Sequence, residues 1–303
     1  MKKRGTGRAR DGFTLVELLV AMAVGLIMLV ALVELMSSAI AATNGGNRHM
    51  DADTEARWVL DRIGSDIARM TKRSDVDYYF AKNNPGSDQM VFYSESSGYY
   101  PSGVSSGSTG GTVSLVGYRI NASNQMERLS KGLAWNGVAG LPSGASPMVY
   151  LPATILGTWP AITATGASTD SDNQVVGDQV FRMELCYLVQ NSTVSATLSD
   201  TPYLAPNTTY AGLEDVQAIV VTIAVLDPKS QLLVSGAALA AAGQQLPHVT
   251  GTASATNPNP IPTAPAALWQ AQIAANGLGL PKAAAGQVRV YQRYYYLNHT
   301  QTL

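Results

Sequence analysis

Glu17 is the residue whose placement asks most for a chemical explanation. From Phe13 to Val33 the chain is apolar except for Thr14 and Glu17. A carboxylate in hydrocarbon costs roughly 2.5–3.5 kcal/mol on insertion scales, so a charge here implies a partner or a function. The other reactive residues are sparse. Cys186 is the single cysteine, which excludes an intramolecular disulfide, and it lies in the apolar segment 180–189 as a buried strand residue. His49, His248 and His299 are far apart, and none has a Cys, Asp or second His at ligand spacing, so they read as solvated or capping residues and no metal site is expected. Asp170-Ser171-Asp172-Asn173 with Asp178 offers clustered oxygens of the kind Ca²⁺ takes. It lacks the fixed spacing and bidentate Glu of a calcium loop, so a polar turn competes with that reading. Tyr99, Tyr100, Tyr294, Tyr295 and Tyr296 could form a stacking surface for DNA or sugar, but no clustered Lys or Arg accompanies them. Nucleophile elbows, phosphate loops and paired-cysteine sites are absent from the sequence, and with them any residue set for an enzyme or a cofactor.

The elements that must carry Glu17 follow from composition. Residues 1–12 hold Lys2, Lys3, Arg4, Arg8 and Arg10 against Asp11. Removing five of 20 basic and one of 21 acidic residues leaves 15 against 20, a net charge near −5, which is a poor match to nucleic acid. As a helix, the 21 residues from Phe13 to Val33 span about 31 Å, close to the bilayer core. The basic leader keeps the N-terminus cytoplasmic by the positive-inside rule, so the C-terminal part is exported. A secretory signal peptide cut near Ala39-Ile40-Ala41 and a plain anchor are the competing readings. Glu17 and Glu34 count against the first, and a plain anchor has no use for Glu17.

Gly12-Phe13-Thr14-Leu15-Val16-Glu17-Leu18-Leu19-Val20 resembles the processing site of type IV prepilins. The resemblance implies cleavage between Gly12 and Phe13 by a membrane prepilin peptidase, N-methylation of Phe13, and Glu17 as the assembly carboxylate. In a filament core that carboxylate can pair with a neighbour's N-terminal ammonium, which offsets the desolvation each charge would suffer alone. The partners implied are the peptidase/methyltransferase, other pilins or pseudopilins, and the membrane. The localisation implied is a single pass through the inner membrane, or a filament.

Beyond Thr43, Asn44-Gly45-Gly46-Asn47 reads as a helix breaker. A second, amphipathic helix follows over about 51–72, with the apolar stripe Ala56, Val59, Leu60, Ile63, Ile67 and Met70. Arg57–Asp61 and Arg62–Asp66 sit at i, i+4 on its expected wet face. This stretch resembles the post-membrane helix of PilW-type minor pilins and of J-type pseudopilins of type II secretion.

From residue 76 strand patterns dominate: 89–94, 113–120 and 125–129 around a hairpin loop at 121–124, then 179–189, 216–226 and 288–297. The β-branched run 216–226 predicts a central strand covered on both faces. Residues 94–112 read as a mobile loop, and 235–287 as an Ala/Pro-rich insertion with helices near 237–242 and 266–275. The runs 88–95, 117–121 and 289–294 also resemble a verrucomicrobial pilin-like cassette family ("cassette protein C"). The expected fold is α+β, a long N-terminal helix followed by an antiparallel β-sheet pilin-like domain. The expected divisions are leader 1–12, transmembrane helix 13–43, amphipathic helix 44–75 and exported domain 76–303. The expected role is structural, with an anchored adhesin or DNA-binding module as the alternative of another class.

Overall fold

The structure is a computed structural model that describes residues 14–72, 78–96, 113–132, 173–205 and 213–297. The chain divides into two compact units, 1–48 and 49–303. Helix α1 (Leu15–Ala68) contributes residues to both.

Within the first unit the helix is apolar, and its large side chains are exposed, Leu15 at 79% and Ile27 at 70%. Leu15–Thr43 is the one helix among the described residues long and apolar enough to cross a membrane. At 1.5 Å per residue these 29 residues span about 43 Å, more than a hydrocarbon core of about 30 Å.

The sequence pattern predicts a break at residues 44–47, and the structure corrects it: helix continues through all four positions. Each Gly costs a helix about 1 kcal/mol relative to Ala, so the pair costs about 2 kcal/mol. Helix extends cooperatively from both flanks, and once nucleated on either side it carries through a penalty of that size.

In the second unit the stripe forms on α1 as far as Ile67, while Met70 lies beyond the helix end, in a bridge to Ser94. Ala56, Val59, Leu60, Ile63, Ile67 and Met70 are all buried, joined by Ala52. Burying each large aliphatic side chain is worth roughly 1.5–3 kcal/mol, which sets this face against the sheets. The helix ends at Ala68, short of the expected 72.

The sequence pattern predicts one sheet; the described residues form two, both antiparallel. The first has five strands in the order β1 (Tyr79–Ala81), β2 (Gln89–Ser94), β3 (Ser114–Ile120), β4 (Met126–Gly132) and β5 (Asn173–Gly177). The β3–β4 loop is set by Asn121, whose Oδ1 accepts from Ser123 N and Gln125 N, and by Asn124 at φ 58°. Asn tolerates that left-handed backbone better than most residues.

The second sheet has the order β7 (Thr197–Ser199), β6 (Val180–Val189), β8 (Val216–Val225) and β9 (Arg289–Tyr296). As its β-branched run predicts, β8 is an inner strand, and all but one of its residues are buried. One core combines the α1 stripe with Met90, Phe92, Val116 and Tyr118 of the first sheet and Leu185, Tyr187, Ile219 and Val221 of the second.

Between β8 and β9 lie α2 (Pro228–Gln231), α3 (Gly236–Gln245), α4 (Pro265–Ala274) and α5 (Lys282–Ala285). Ser235 caps α3 by accepting from Ala238 N at 3.2 Å. Trp269 of α4 is fully buried against Phe181, Ala224 and Leu246, so this insertion has a core of its own over the second sheet. Most of the expected mobile loop lies outside the described residues.

Candidate functional site

Glu17 is three residues after Thr14, and this spacing closes the first turn of α1. Thr14 Oγ1 accepts from Glu17 N at 3.3 Å. Glu17 Oε2 accepts from Thr14 N and from Thr14 Oγ1, each at 3.0 Å. This is a reciprocal capping box, which satisfies backbone N–H groups that a helix start otherwise leaves bare. The T-x-x-E signal before an apolar run is visible in the sequence, and the reading of Glu17 as an isolated carboxylate passes over it. Gly12 and Phe13, the residues flanking the expected cut, lie outside the described residues. Ala21 and Gly25 follow Glu17 at i+4 and i+8, so the carboxylate shares its helix face with two small residues.

The charges expected on the wet face of α1 divide. Asp61 pairs with Arg293 of β9 at the surface. Asp66 is a correction, because it is 1% exposed. Its carboxylate takes a two-point bond from Arg128, Nε to Oδ2 at 2.7 Å and Nη2 to Oδ1 at 3.0 Å, and a third from the Tyr118 hydroxyl. Arg62 lies at 3.9 Å, the outermost member of the group. Burial, and then the Asp66 charge, push the Tyr118 phenol well above its usual range. Arg128 is 62 residues from Asp66, so helix periodicity alone cannot reveal the pair.

Among the described residues, the Tyr294, Tyr295 and Tyr296 triplet does not form one surface. Tyr99 and Tyr100 lie outside the described residues. Tyr295 is buried and donates to Leu60 O on α1. Tyr294 and Tyr296 stack with ring centroids 6.5 Å apart and are exposed. Strand alternation sends adjacent residues to opposite faces, which splits the triplet.

The calcium reading falls on Asp170, Ser171 and Asp172, outside the described residues; Asn173 opens β5 and Asp178 bonds Glu55. Cys186 is fully buried on β6, as expected, and burial pushes its thiol up, away from nucleophilic use.

Of the two described histidines, His248 departs from the expected solvated or capping role. His49 accepts from Arg289 Nε at 3.2 Å. His299 lies outside the described residues. His248 is neither solvated nor a cap: it packs against Asp88 and Glu184, with a ligating atom of each of the three within 4.8 Å of the others. Lys82 Nζ stands 3.1 Å from Asp88 Oδ2 and 3.8 Å from Glu184 Oε1. Glu184 Oε1 also accepts from Val249 N at 2.8 Å. Arg182 Nη2 lies 2.7 Å from His248 Nε2, with its guanidinium 5.7 Å from the Trp269 ring. Burial raises the Asp88 carboxyl, opposed by the Lys82 charge, and burial lowers the Arg182 guanidinium. These members come from three segments of the chain, and His248 is 64 positions beyond Glu184, so local spacing carries no trace of the group.

Comparison with known proteins bears on the N-terminus. The family model described as the prokaryotic N-terminal methylation motif matches residues 7–36. No curated protein matches the chain. Among solved structures, a type IV-like pilin from Thermus thermophilus is similar at 14% identity and a TM-score of 0.31, over 81% of this chain and 93% of that one.

Proposed function

We propose that the chain is a type IV pilin-like subunit, cut between Gly12 and Phe13, N-methylated on Phe13, and assembled into a filament through α1. The match of residues 7–36 to the methylation motif carries the reading. It is supported by the helix that follows, whose large apolar side chains are exposed and need lipid or other helices to cover them. Without a hydrophobic drive inside lipid, helices associate through close packing at small residues and through polar groups. The Glu17, Ala21 and Gly25 face offers both.

The fine assignment is a low-copy minor pilin of PilW type, made by the order of the long helix and the β-rich domain. A J-type pseudopilin of type II secretion shares that order, and a retraction ATPase encoded nearby would favour the pilus. Structural rather than catalytic use fits the chain, since among the described residues Asp66 is paired with Arg128, Asp88 with Lys82, and Cys186 is sealed. The proposed topology places the leader in the cytoplasm, the apolar stretch Leu15–Thr43 of α1 in the inner membrane and residues 49–303 outside.

Glu17 has two roles to separate, the cap of its own helix and the pairing with a neighbour's ammonium. Glutamine at this position keeps the capping box and removes the charge. We expect Glu17→Gln and Glu17→Ala to be inserted and cleaved alike, and both to fall by about tenfold or more in sheared filaments. Incorporation of Glu17→Gln at the wild-type level, with Glu17→Ala excluded, would assign the carboxylate to capping alone.

A further inference from the structure

The ionic cluster in the second unit has the donors and spacing of a cation site. Asp88 stands in the β1–β2 connection just before β2, Glu184 within β6, and His248 in the α3–α4 connection. The two carboxylates are 0% exposed and the imidazole 6%. His248 Nδ1 lies 3.4 Å from Glu184 Oε1. Two ligands of a tetrahedral centre with bonds of about 2.0–2.1 Å stand about 3.4 Å apart. His248 Nε2 lies 2.8 Å from Gly86 O, the outer contact that fixes a metal-bound imidazole with its proton on the far nitrogen. Glu184 Oε2 is buried with no hydrogen-bond partner, an independent observation that leaves one carboxylate oxygen of this pocket open to a ligand, and Arg182 Nε and Nη1 beside it are unpartnered as well.

The ammonium of Lys82 now stands between the two carboxylates, and Lys82 is the member of the cluster with a path to water, at 27% exposure. Its four-carbon stem lets the ammonium leave for solvent without moving the backbone. Arg182 Nη2 contacts His248 Nε2 at 2.7 Å, so a metal on Nδ1, by holding the proton on Nε2, also turns the guanidinium away.

We propose that Asp88, Glu184 and His248 bind one divalent cation of the Zn²⁺ class, in exchange for the Lys82 ammonium. Imidazole with two carboxylates suits zinc and its transition-metal neighbours, whereas calcium prefers an all-oxygen shell. The ion ties together three segments far apart in the chain: the β1–β2 connection, β6 and the insertion over the second sheet. It acts as a structural staple.

The test uses the full chain in detergent micelles, stripped with a chelator and titrated with Zn²⁺ by calorimetry. Zinc X-ray absorption reads the shell. We expect one Zn²⁺ per chain, nitrogen and oxygen neighbours at about 2.0–2.1 Å, and a raised unfolding midpoint. His248→Gln should weaken binding by at least about tenfold, and Lys82→Met should tighten it by about tenfold by removing the competing charge. Binding by Lys82→Met but not by the wild type would overturn the proposal, leaving the ammonium as the native occupant. Binding unchanged in both His248→Gln and Glu184→Gln would overturn it too, by placing the ion elsewhere.

Discussion

At the scale of single residues, burial decides what a charge does. Glu17 and Asp66 are both carboxylates on α1, yet Glu17 is exposed beside Thr14 and Asp66 is held by Arg128 and Tyr118. Removing Asp66 leaves a buried guanidinium without its partner, and breaking a buried pair in this way costs about 3–5 kcal/mol. We expect Asp66→Ala to lower the midpoint of unfolding by roughly 10 °C, read by circular dichroism. A loss of 2 °C or less would mean that Arg128 finds another partner. Glu17 was legible because an acid among apolar residues is anomalous in one dimension. Asp66 was not, since i, i+4 spacing to Arg62 also describes an ordinary surface pair. The Asp88, Glu184 and His248 group becomes visible only once β2, β6 and the insertion are folded together.

At the scale of elements, long periodic or β-branched segments were legible. The strand at 89–94 forms within the expected bounds, and 216–226 becomes the inner strand β8. The three-residue strands β1 and β7 carry too few residues for a period, and β5 alternates weakly, so none of these could be read. Their absence from the sequence reading also explains why two sheets were read as one. The Gly45-Gly46 pair signals a break by local preference alone, but its penalty acts against a helix growing from both sides. A Cβ at Gly45 or Gly46 would meet nothing within 4 Å. The double substitution Gly45→Ala/Gly46→Ala should therefore fit and stabilise the helix there by about 1–2 kcal/mol. Slower amide hydrogen exchange over 42–50 is the expected result; faster exchange would show that these glycines serve a non-helical conformation.

At the scale of the whole molecule, the chain pairs an apolar helix whose side chains are exposed with a domain that buries its own apolar residues. The core of the second unit includes the α1 stripe from Ala52 to Ile67, so a soluble fragment must begin near His49 and not after the helix. We expect residues 49–303 to fold as a soluble monomer by light scattering, and a fragment starting at residue 70 to be insoluble for want of that stripe. Filament formation by 49–303 alone would move the assembly determinant out of the apolar helix. The alternation that reveals such a core is written in the sequence, whereas the covering of an exposed helix by lipid or neighbours is not written in one chain.

The central claim is that this chain is a processed pilin-like subunit, and the intact mass of the protein isolated from membranes tests it most directly. The account predicts loss of residues 1–12 and a gain of one methyl group on Phe13. A full-length mass, or a new N-terminus after Ala41, would contradict it.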